Sequence, residues 1–220
     1  MRSIRTRVVA AVVAISVLSL GAACGGAGDA TVSGASRTVE DVAGVEVEVP
    51  AEPERVVALS EPALDGLLAL GITPVGAVTG RGQGALPSYL ADRTAGIPVL
   101  GSVAQPNFQE IGKADPDLIL VDGTSLAPDA EALVMLRKIA PVVYTGYAGG
   151  DWSANFALVA DAVNRADEGA EVVREYRDRA TEVAGRLAPS YDGKTFSIVR
   201  WQGGSGSLII KDLPPGQALA

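Results

Sequence analysis

The side chains best suited to chemistry in this sequence are few and sit among glycines. Arg81 lies in Gly80-Arg81-Gly82-Gln83-Gly84, and Tyr147 and Trp152 share a second loop with Gly146, Gly149 and Gly150. Arg200 and Trp201 close a short apolar run. Arginine recognises planar or anionic groups by charge, by its fork of donors and by stacking. Tyr and Trp offer flat contact area at little entropic cost. This is the chemistry of holding a ligand rather than transforming one. The chain contains no His, so no imidazole serves as general base, nucleophile activator or metal ligand. Ser-His-Asp and Cys-His hydrolysis and His-ligated zinc or haem are excluded with it. The remaining enzymatic route is a carboxylate pair, for instance Asp122 with Asp151, and no spacing motif supports it. Asp151 equally suits the N-cap of the helix that follows. Residues 80–84 lack the Lys-Ser/Thr of a phosphate loop.

The elements that must position these residues are legible in outline. The chain has 220 residues, of which 48% are apolar and 5% aromatic. That suffices for a real core and excludes the disordered class. A single Cys excludes an internal disulfide. Residues 37–40 and 45–50 alternate with period two and predict a β-hairpin. Short apolar runs at 55–59, 74–78, 97–100, 118–122 and 141–144 predict strands. Helices are predicted between them at 62–70, 88–93, 107–114 and 130–139. Ser60 is the predicted N-cap of the first helix and Gly71 its stop. This alternation argues a parallel sheet covered on both faces. Residues 153–187 read as a long helix with an apolar stripe and a charged face. Gly169 marks a candidate break near 164–168. Unbroken, about 35 residues would span roughly 50 Å. Strands at 195–201 and 207–210 follow, too little chain for a core of their own.

The N-terminus reads as an address. Arg2, Arg5 and Arg7 precede an uncharged apolar run at 8–23, too short for a spanning helix. It ends in Leu20-Gly21-Ala22-Ala23-Cys24, a secretory signal with a small-residue cleavage site. The placement of Cys24 resembles a bacterial lipobox, with Leu20 four residues before the Cys rather than three. The resemblance implies a diacylated Cys24, and plain secretion is the alternative. Residues 25–36 read as a flexible tether. The net charge is −8. A body this acidic disfavours nucleic acid as a partner.

Together these pieces resemble a known family. The carrying stretches include Ala69-Leu70-Gly71-Ile72-Thr73-Pro74-Val75-Gly76 and Ala114-Asp115-Pro116-Asp117-Leu118-Ile119-Leu120. Asp41–Pro50 with Arg55–Ser60, Gly101 with Pro106-Asn107-Phe108, and Ser197-Ile198-Val199-Arg200-Trp201 complete the set. From about residue 38 onward the chain is similar to the substrate-binding lipoproteins of ABC importers for ferric siderophores, cobalamin and haem. The resemblance implies an α/β fold: a parallel-sheet N-terminal lobe, a long backbone helix and the beginning of a second α/β lobe. The organisation expected is a signal peptide at 1–23, an anchored tether at 24–36, the lobe at 37–152, the helix at 153–188 and a truncated second lobe at 189–220.

The function implied is delivery of a ferric siderophore to an ABC permease and its ATPase. The protein would be a monomer on the outer face of the cytoplasmic membrane, with small lobe motions. The chelator satisfies the metal, so no cofactor or metal ligand of the protein's own is expected. In such folds ligands sit beyond the carboxyl ends of strands, which makes Arg81, Tyr147 and Trp152 candidate contacts. The resemblance puts a ligand-facing Arg at Arg200. Trp201 is its neighbour on the strand, so one regular face cannot present both. Relatives present a surface carboxylate to the permease. Glu110 is the candidate here, one residue beyond the usual place, which Gln109 occupies. Cobalamin or haem cargo and a non-binding remnant are the alternatives.

Overall fold

The computed structural model describes residues 30–32, 34–191, 194–195, 197–202 and 205–209. The predicted signal segment and Cys24 lie outside the described residues. The first elements form an antiparallel hairpin, β1 (Ser36–Glu40) and β2 (Glu46–Pro50), with Ser36 opposite Pro50. The tether reading runs through residue 36, whereas Ser36 opens β1 and its hydroxyl donates to Glu48 Oε1 at 2.6 Å. Ala30 N–H donates to the Arg137 carbonyl. Cross-strand pairing thus takes up the last residue of a segment whose composition reads as linker.

Strands and helices then alternate. They run β3 (Val56–Ala58), α1 (Glu61–Ala69), β4 (Gly76–Thr79), a 3₁₀ turn (Ser88–Leu90), α2 (Ala91–Thr94), β5 (Val99–Ser102), β6 (Gln105–Pro106), α3 (Phe108–Lys113), β7 (Leu118–Val121), α4 (Glu131–Arg137) and β8 (Val142–Tyr144). One six-stranded sheet has the order β6-β5-β4-β3-β7-β8. It is parallel except for β6, which pairs antiparallel to β5 at one edge. Residues on β7 divide by parity. Leu118 and Leu120 join a cluster with Leu64 and Leu67 of α1 on one face. Ile119 and Val121 join Ile111 of α3 and Leu133 and Leu136 of α4 on the other. All nine are buried, as a sheet covered on both faces requires.

The predicted long helix is two helices, α5 (Trp152–Ala162) and α6 (Ala166–Tyr191). The break falls at Asn164, inside the 164–168 stretch where the sequence suggests it, and Gly169 is not its cause. Asn164 has φ of +55°. Its N–H donates to Asp161 O, and Arg165 N–H donates to Ala160 O, the paired bonds of a Schellman cap. Glu52 holds the turn from outside, accepting from Asn164 Nδ2 at 2.6 Å and Arg165 Nη1 at 3.1 Å. Gly169 serves close approach instead: a Cβ there would lie 2.5 Å from Ala160 Cβ. The apolar stripe packs only over the start of α6. Beyond it, Tyr176, Leu187 and Tyr191 are 43–59% exposed.

β9 (Ile198–Gln202) and β10 (Ser205–Ile209) pair with each other and do not join the six-stranded sheet. At the amino end of that sheet, Asp117 accepts from the N–H groups of Glu54 and Arg55 at 2.8 and 3.0 Å. Arg55 in turn donates to the carbonyls of Asp115 and Ala114. No helix among the described residues is long and apolar enough to cross a membrane.

Candidate functional site

Chain direction around the sheet reverses between β3 and β7. Successive connections move one way from β3 to β5 and the other way from β7 to β8. Loops leaving the carboxyl ends of these two strands part there and leave a crevice. Two buried groups and an exposed threonine hold its floor. Ser60, just after β3, caps α1 by accepting Ala63 N–H at 3.1 Å. Its hydroxyl donates to Asp122 Oδ2 at 2.9 Å. Asp122, just after β7, accepts on Oδ1 from Thr124 N–H at 2.8 Å and from the Thr124 hydroxyl. Ser60 and Asp122 are 1% and 3% exposed.

Above this floor is a cavity of about 370 Å³, at the small end of ligand sites. Asp122, Thr124 and Thr145 line it from the strand ends. Tyr147, Gly149 and Gly150 line it from the loop after β8, Gly66 and Ala69 from α1, Trp152 and Phe156 from α5, and Val172 and Tyr176 from α6. Trp152 meets Tyr176 edge-on, ring centroids 5.0 Å apart at 74°. Tyr147 leans on Tyr144 at 5.8 Å. Tyr144 is 2% exposed and donates to the Leu126 carbonyl at 2.8 Å. Burial, and secondarily the Asp122 charge, push its hydroxyl above the usual tyrosine range.

Three of the sequence-derived candidates meet here. Tyr147 and Trp152 line the cavity. Arg81, exposed in the loop after β4, reaches the carbonyl of Thr124 with Nη2 at 3.5 Å. Arg200 and Trp201 lie on β9, opposite Ser207 and Gly206, and their side chains lie outside what is described. Glu110 is elsewhere, on α3, in an ion pair with Lys113 at 2.7 Å. The carboxylate-pair alternative meets two structural carboxylates. Asp122 is held in the floor. Asp151 caps α5, accepting from the Ser153 hydroxyl and from Ala154 N–H at 2.7 and 2.8 Å. Those bonds, the Ser153 hydroxyl foremost, hold its carboxyl below the usual range. Sequence reasoning missed Ser60 as a partner of Asp122, and Phe156 and Tyr176 as cavity wall. Both aromatics fall on helical stripes that read as ordinary packing.

A parallel sheet whose reversal point opens on an aromatic-walled cavity, with its nearby carboxylates engaged in structure, has the architecture of one lobe of a doubly wound α/β protein. The comparisons give that class a family. Residues 56–212 match the family model described as Periplasmic binding protein. The probable siderophore-binding lipoprotein YfiY of Bacillus subtilis is 35% identical over 184 residues, 84% of this chain and 55% of the relative. The petrobactin-binding protein YclQ of the same species is 30% identical over 122 residues, 54% of this chain and 36% of the relative. Among solved structures, Staphylococcus aureus SirA complexed with staphyloferrin B superposes with a TM-score of 0.62 at 25% identity, covering 74% of this chain and 55% of SirA. A periplasmic solute-binding protein from Mycobacterium smegmatis superposes with a TM-score of 0.66 at 26% identity, over 79% of this chain and 63% of its own. The chain belongs to the periplasmic binding protein family. It spans about half the length of the curated relatives it matches, 55% in the case of YfiY.

Proposed function

We propose that this chain acts in an extracytoplasmic solute-binding protein that delivers a ferric siderophore to an ABC importer. The observation that carries the reading is the cavity at the sheet reversal, with Tyr147 and Trp152 in its wall and Arg81 beside it. Aromatic faces suit the flat arms of a chelate, and a guanidinium suits its oxygen-rich surface. The siderophore-binding relatives support the cargo. Relatives described as lipoproteins support a location outside the cytoplasm.

In this reading Arg81 is a clamp and Tyr147 and Trp152 are contact surfaces. One of Arg200 and Trp201 faces the ligand from the far side. Glu110 docks on the permease, and Cys24 carries the lipid anchor. The iron is cargo held by its chelator, and no covalent step occurs. Intrinsic tryptophan fluorescence tests the cargo, because Trp152 and Trp201 are the only two Trp residues. Saturable quenching at or below micromolar concentration by one class of ferric siderophore, with none by cobalamin, is the expected result. A folded chain that ignores every ferric siderophore would overturn it.

A further inference from the structure

Charge in the cavity follows a pattern that the proposed function leaves unused. Asp65 and Asp122 line it, and no Lys or Arg does among the described residues. Asp122 has only uncharged donors. The Ser60 oxygen already accepts Ala63 N–H, so its own proton is directed at Asp122, and Thr124 supplies an N–H and a hydroxyl. No ion pair neutralises Asp122 among the described residues. Asp65 accepts from the Tyr89 hydroxyl at 3.1 and 3.2 Å. Burial raises the Asp65 carboxyl above its usual value, against the Tyr89 bond and the charge of Arg93, which turns its Nη2 to the Leu68 carbonyl. Two guanidinium groups beside the lining are exposed: Arg81 against the Thr124 carbonyl, and Arg177 against Ser153 Oγ at 3.2 Å. The charged groups of the lining are thus the buried Asp122 and the exposed Asp65, and no guanidinium is among them.

We infer that the cavity accepts an uncharged flat aromatic group and excludes a carboxylate, leaving anionic parts of a ligand at the exposed arginines. The inference rests on the reading that this cavity is the ligand site. The aromatic and aliphatic walls reward a flat apolar group. A second anion would meet two acidic side chains with no lining cation to offset them, a repulsion that low salt leaves least screened. The cavity is also too small for a whole chelate of three bulky arms, so it reads one arm at a time.

A matched pair of aromatics isolates charge at constant shape. The labelled chain is titrated at low salt with 2,3-dihydroxybenzamide and with 2,3-dihydroxybenzoate, following the backbone amide resonances of Thr124, Thr145 and Gly150. The amide is expected to shift these resonances saturably and to bind at least tenfold more tightly than the acid. Asp65→Asn should narrow that gap severalfold by improving the acid alone. An acid that binds as tightly as the amide overturns the inference. So does an amide that leaves these resonances unmoved at several millimolar. The two readings fail separately. Discrimination between the pair without any siderophore binding removes the proposed cargo and leaves the cavity's selectivity. Siderophore binding without discrimination removes only the selectivity.

Discussion

Ser60 does two jobs with one oxygen. It caps α1 through Ala63 N–H and satisfies Asp122 across 62 residues of sequence. Ser60→Ala removes a cap and strips a buried carboxylate of a donor, so it should cost about 2 kcal/mol, read as a lower urea midpoint. The cap was legible in the sequence because it is a contact three residues long. The pairing with Asp122 was not, since nothing near either residue encodes the meeting of two strand ends. Asp151 gives a pH signature. Its folded carboxyl is held below the ordinary value. Its contribution is therefore present above pH ~4 and is lost as pH falls through the lower folded value. Acid unfolding followed by circular dichroism should show this, and Asp151→Asn, which keeps the cap, should remove that part of the pH dependence. Arg81 is exposed and makes a single long hydrogen bond, so Arg81→Ala should leave the melting temperature unchanged. It should weaken ferric siderophore binding about tenfold, about 1.4 kcal/mol, in a fluorescence titration.

Between elements, the decisive contact is α5 on α6. Gly169 allows it, because any side chain there meets Ala160. Leucine is a better helix former than glycine by somewhat less than 1 kcal/mol. Overpacking at this distance costs more, so Gly169→Leu should destabilise the chain by about 2 kcal/mol in urea unfolding. It should also move the Val172 and Tyr176 wall of the cavity. Periodicity located this helical stretch but could not divide it, since the stripe continues through the turn. The division depends on Asn164 adopting a left-handed backbone and on Glu52, more than a hundred residues earlier, accepting from it. The strand β6 was also illegible. Two residues, one of them proline, carry no alternation, and only the neighbouring β5 makes them a strand. The central strands were legible because their runs are buried on both faces and therefore uniformly apolar.

Across the whole molecule, stability is uneven. β3 and β7 are buried throughout, while α6 beyond Tyr176 is largely exposed along both its polar and apolar faces. Amide hydrogen exchange should follow that contrast. Protection in residues 178–191 is expected to be at least a hundredfold lower than in β7, since few buried contacts oppose local opening there. Uniform protection would show that the exposed stripe is covered in solution. The clamp of Asp117 on Glu54 and Arg55 lies at the end of the sheet opposite the cavity. That separation has a practical consequence for instrumentation. A surface coupling or a fused reporter placed beside Glu54 would leave the aromatic mouth facing the sample, so the lobe is already oriented as the recognition head of a sensor.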